Sequence, residues 1–165
     1  MVDRRDVGSW ISGPREALTA AGVEFGYRGE RLGLPPSGPR SLAGFGRRLI
    51  AVAIDWMASL LVVHVLFSEL TYGSPAYGAA TLAIFGFEVF VLTWMSGGSF
   101  GQRLLRLTVR RLDQNSADDR YAGIGLAAAA IRTVLLCLLV PAVIWDRDGR
   151  GLHDKAINTA VIRTS

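Results

Sequence analysis

Lysine is almost missing from this chain: Lys155 stands alone, so the basic pI of about 9.8 comes from arginine. Cysteine is as scarce, and a single thiol, Cys137, excludes an intramolecular disulfide. It lies in an apolar run and reads as a small core residue. The two histidines, His64 and His153, have no Cys or His neighbour at ligand spacing, so a zinc site has no basis. No GxxxxGK[ST], GxSxG or HExxH pattern occurs, and no nucleophile stands beside a base. The sequence therefore predicts neither an enzyme nor a resident cofactor or metal. No internal repeat is present.

One further absence is regional. No Lys or Arg lies between Arg48 and Arg103, and that gap covers two apolar runs. Only 19% of residues are charged while 50% are hydrophobic, and the mean hydropathy is +0.32. Soluble domains carry about 25% charged residues. Charge confined to blocks around long apolar runs predicts a multi-pass protein of the cell membrane. The arginines then flank spans and meet anionic lipid, so membrane lipids and not nucleic acid are the expected contact.

The 165 residues suit one compact unit with an appendage. Residues 1–46 form a polar arm without the apolar core of a signal peptide, so the arm is expected to be retained. Within it "PREALTAAGV" predicts a short helix from Pro14, and "GLPPSGPRS" an extended linker. Its expected role is a loosely docked cytoplasmic tail or a contact for a partner. Residues 47–165 form the membrane domain, a small all-α bundle of three membrane segments. The first two run over 49–67 and 76–95, each long enough for a hydrocarbon core of about 30 Å. Ala79, Ala83 and Gly86 give the second a small-residue stripe for helix contact.

Eight arginines precede the first span, none lies in "SELTYGSP", and five lie in residues 97–122. By the positive-inside rule the amino terminus and the 97–122 loop are cytoplasmic, with the turn outside. The third segment, 123–145, contains Arg132, and the tail after it holds four basic residues. A full crossing would put that tail outside, against the charge rule. "RLTVRR" and "NTAVIRT" alternate like short strands able to pair, which needs both on one side. A re-entrant or tilted third segment, with Pro141 as a place to bend, reconciles the signals, though the side of the carboxyl terminus stays open at this level.

Three ionisable residues fall inside these segments. At 1.5 Å per residue Asp55 lies about 10 Å deep, Glu88 about 12 Å and Arg132 about 13 Å. Buried charges in lipid face inward and pair, and an arginine fork serves two carboxylates. Arg132 is thus expected to hold Asp55, with Glu88 close by. Two acids against one base leave a charge for Arg48, a proton or a cation to balance. His64 faces nearly opposite Asp55 around its helix and is not part of the layer.

The same residues carry a family resemblance. "RRLIAVAID", with Arg48 and Asp55, "GGSFGQRLLRLTVRRLD" and "GRGLHDKAINTAVI", with Asp154, resemble in order the blocks of the RDD family of membrane proteins. The resemblance covers roughly residues 41–163, and it implies that Arg48, Asp55 and Asp154 are the family's motif positions. Transport of unknown ligands is the activity suggested for that family. From the residues alone, Asp154 either caps "KAINT" or pairs with Arg103 or Arg106. A cation site at Asp146, Asp148 and Asp154 competes poorly with the adjacent Arg147 and Arg150. Two functional readings result. One is a structural or accessory subunit of a larger membrane assembly, with protein partners or further copies of itself. The other is an ion- or proton-coupled transporter built on Asp55, Glu88 and Arg132.

Overall fold

The computed structural model describes residues 27, 29–112, 124–138 and 150–165. The helix expected at "PREALTAAGV" and the bend at Pro141 lie outside these residues. After a 3-10 turn at Glu30–Leu32 come two long helices, α1 (Phe45–Leu66) and α2 (Pro75–Ser96). The short helix α3 (Phe100–Leu104) leads into strand β1 (Leu107–Arg111). Helix α4 (Leu126–Cys137), the short helix α5 (Leu152–Ala156) and strand β2 (Thr159–Arg163) complete the order.

The two long helices form an antiparallel hairpin. Each is 22 residues, long and apolar enough to cross a membrane by length and composition. Ser74 caps α2 by accepting the Tyr77 N–H, with Pro75 at the first helical position. Gly97 ends it in the left-handed conformation (φ 72°), where a Cβ would also crowd Thr108. Across the hairpin the Tyr77 hydroxyl donates to the Leu60 carbonyl at 3.2 Å, and Trp56 meets Phe85 edge-on at 5.5 Å.

The partition of residues on these helices is inverted relative to a soluble protein. The buried stripe of α1 is Arg48, Ala51, Asp55, Ser59 and Val63. Its exposed face carries Leu49, Ile50, Met57, Leu61, Val65 and Leu66. On α2 Tyr77, Thr81, Phe85, Val89 and Thr93 are buried, while Leu82, Phe87, Trp94 and Met95 are exposed. In water such a helix would turn its apolar face inward. Ala79 and Ala83 also stand exposed, so the small-residue stripe is not an internal contact. Of the three only Gly86 faces α4, where a Cβ would lie 3.4 Å from Cys137 Sγ.

The expected strand pairing is present. β1 and β2 are antiparallel, with Leu107 opposite Arg163 and Val109 opposite Val161. The linker also docks. Arg40 N and Ala43 N donate to the Arg163 and Val161 carbonyls, and Leu42 bridges Ile162. β2 is therefore covered on both edges and both faces. Leu107, Val109 and Val161 pack with Ala51 of α1 and Ala129 of α4, and Leu42, Ala160 and Ile162 close the other face.

Candidate functional site

The site forms where α1, α2 and α4 meet the short helices, and it has two centres. The first is the amino terminus of α3. A helix start leaves four N–H groups without intrahelical partners, and here every one is taken. Ser99 and Gln102 form a capping box, with Gln102 N donating to Ser99 Oγ and Ser99 N to Gln102 Oε1. Phe100 N donates to Glu88 Oε1 at 2.8 Å, and Gly101 N donates to Asp55 Oδ1. The Ser99 hydroxyl donates to Asp55 Oδ2 at 2.5 Å. Two carboxylates from two long helices thus grip one short helix, at the end where the backbone dipoles favour negative charge.

Gly101 permits this approach. A Cβ there would overlap the Ala51 carbonyl oxygen of α1 and press on Asp55, and Ala51 itself is fully buried. The contact is backbone on backbone, so only glycine fits.

The second centre is Asp154 in the first turn of α5, which is 0% exposed. Arg132 Nε donates to its Oδ1 at 3.0 Å and Arg48 Nη1 to its Oδ2 at 3.4 Å. His153 Nε2 lies 3.6 Å from Oδ1. Arg48 Nη2 also donates to the Val161 carbonyl at 3.2 Å, tying α1 to β2. Burial alone would raise the Asp154 pKa. Arg132, His153 and Arg48 outweigh it and hold the carboxyl below its ordinary range.

This arrangement corrects the expected pairing. Arg132 and Asp55 are both buried in one region, yet no hydrogen bond joins them among the described residues. Arg132 acts on Asp55 only through space. The reason is reach: Asp55 is satisfied at short range by Ser99 and Gly101, and α5 brings Asp154 up against the guanidinium. Arg48 likewise goes to Asp154 and not to Asp55. Asp154 neither caps a following helix nor pairs with Arg103 or Arg106, because it lies within α5 and faces α1 and α4. Glu88 is bound to α3 through Phe100 N, and its Oε2 is buried without a partner. His64 is exposed and apart. Asp146 and Asp148 lie outside the described residues. Arg48 and Asp154 share one ion-pair cluster with Arg132, while Asp55 belongs to the other centre, at the amino terminus of α3.

Ser99, Gly101 and His153 were not singled out from the sequence. The Ser-x-x-Gln spacing at 99–102 was the available signal for the first two, and nothing in the sequence placed His153 beside Asp154 except adjacency. Neither a family model nor a curated protein nor a solved structure matches this chain.

Proposed function

We propose that this protein is a small integral membrane protein of the RDD type that serves as a structural or accessory subunit of a larger membrane assembly. The inverted helices support the membrane placement: apolar faces outward and Arg48, Asp55 and Ser59 inward are what a hydrocarbon solvent selects. The charge rule orients the arm and the 97–122 loop to the cytoplasm. Sheet pairing then brings β2 and the carboxyl terminus to the same side. The described third helix, 12 residues or about 18 Å, is shorter than a bilayer core of about 30 Å, which supports a re-entrant third segment.

One observation favours the accessory role. Asp55, Glu88, Arg48, Arg132 and Asp154 all hydrogen-bond across elements, so the buried charge is spent on assembling the molecule. The outward faces of α1 and α2 remain as surfaces for partner helices or another copy. Chemical crosslinking in native membranes followed by affinity purification tests this. Stoichiometric recovery of a discrete membrane partner or a defined homo-oligomer is expected, and recovery of the monomer alone contradicts it.

A second reading, an ion- or proton-coupled transporter, rests on Glu88. Its Oε2 is buried without a partner, and that vacancy suits a proton or a cation. One acceptor vacancy at the edge of the layer supports transport less than five engaged groups support a clamp.

A further inference from the structure

A cavity of about 420 Å³ lies between α1, α2 and α4, inside the range of about 300–1,000 Å³ typical of small-molecule sites. Its walls are of two kinds. Leu49, Val52, Trp56, Leu82, Phe85 and Leu136 form an apolar region, and three of them are substantially exposed: Leu49, Trp56 and Leu82 at 55%, 39% and 41%. These open the cavity sideways, on the surface that faces hydrocarbon when α1 and α2 sit in a bilayer. Arg48, Arg132, Ser99, Gln102, His153 and the carboxylate of Asp55 line the polar region.

Arg132 decides what this cavity suits. It is 1% exposed, and its Nε is bound to Asp154. Its Nη1 is buried with no hydrogen-bond partner. A guanidinium donor left unpaired away from water is costly, the more so because it is charged. Inside lipid the available acceptors are those of lipid molecules. The cations are in excess only immediately around Asp154. Arg48 and Arg132 share the one carboxylate of Asp154, while Asp55 is taken up by Ser99 and Gly101. An apolar tail fits the wall of Leu49, Val52, Leu82 and Leu136 with the aromatic rings of Trp56 and Phe85 across it.

We propose that this cavity binds a single acyl chain entering laterally from the membrane, with its carboxyl oxygen, free or esterified, accepting from Arg132 at the polar end. The site depends on the membrane placement of α1 and α2 but not on the accessory or the transport reading.

The test is photo-crosslinking of the purified full chain with palmitate carrying a mid-chain diazirine, mapped by peptide mass spectrometry. Adducts are expected on 49–56, 82–89 and 136–137. Unlabelled palmitate at ten times its dissociation constant leaves about one-eleventh of the site free, so labelling should fall about tenfold, while hexadecane should leave it unchanged. Competition by methyl palmitate as well assigns an ester such as a phospholipid's, and competition by palmitate alone assigns a free fatty acid. Ala53→Trp, which fills the cavity rim from an exposed position, should abolish the adducts without touching the polar centres. Arg132→Lys should erase the preference for palmitate over hexadecane. Adducts spread over Leu61, Val65 and Phe87, or equal competition by hexadecane, would overturn the proposal. A chain recovered in membranes that gives either result fails on the site alone, whereas a chain that does not partition into membranes fails on its placement.

Discussion

Arg132 and Asp154 form the most consequential contact, because each is almost wholly removed from water and each is the other's shortest ionic partner. Removing one member strands the charge of the other, at a cost on the order of 3–5 kcal/mol. Arg132→Leu is therefore expected to lower the unfolding midpoint far more than the surface change Arg103→Leu. Asp154→Asn combined with Arg132→Gln should lose less than the sum of the singles, by about 0.5–3 kcal/mol. Additivity in chemical denaturation would mean that the pair is not coupled. The acid dependence follows from the same site. The Asp154 pKa is lowered in the folded state from about 3.8, so the folded chain binds that proton more weakly than the unfolded chain. Its stabilisation is complete above pH 3.8 and is lost as pH falls through the depressed folded value. The stability difference between wild type and Asp154→Asn should be flat from pH 7 to 5 and shrink only in stronger acid. A difference that collapses between pH 7 and 5 would mean that the Asp154 carboxyl is not held below its ordinary range.

At the scale of elements, α3 is held by other elements more than by its own length, since five residues make no stable helix alone. Its anchorage is the Gly101–Ala51 contact and the two carboxylates. Gly101→Ala should push α3 from α1 and speed hydrogen exchange at the amides of Phe100 and Gly101 by tenfold or more, about 1.4 kcal/mol. Unchanged exchange would mean that α1 yields to the methyl group. Both long helices were readable from hydropathy to within a few residues at most, α1 starting at Phe45 and not Leu49. The strand pair was readable from alternation. What hydropathy cannot supply is which acid meets which base. Depth along a helix axis placed Asp55, Glu88 and Arg132 in one layer, but Asp154 meets Arg132 from α5, a five-residue helix that no hydropathy pattern marks. The docking of residues 40–43 was also missed, because "GLPPSGPRS" is turn-rich by composition and gains its order only from the edge of β2.

For the whole molecule, the sheet gives a topological constraint: the linker end, β1 and β2 share one side of any membrane. In a Cys137→Ser background, cysteines at Ser37 and Ser165 should both resist an impermeant reagent applied outside intact cells, while one at Ser74 reacts. Reaction at Ser165 with protection at Ser37 would mean a complete third crossing and would contradict the pairing. The larger claim is that the buried charges connect elements and do not carry ions. Glu88→Gln keeps an acceptor for Phe100 N while removing the charge, so a connecting role predicts a folded and stable variant. Proton or sodium flux decides the matter most directly. The measurement uses proteoliposomes of the purified protein with a pH-sensitive dye inside, under either gradient. No flux above empty liposomes is expected, for wild type and Glu88→Gln alike; flux in the wild type that is lost in Glu88→Gln but kept in His64→Ala would contradict the account.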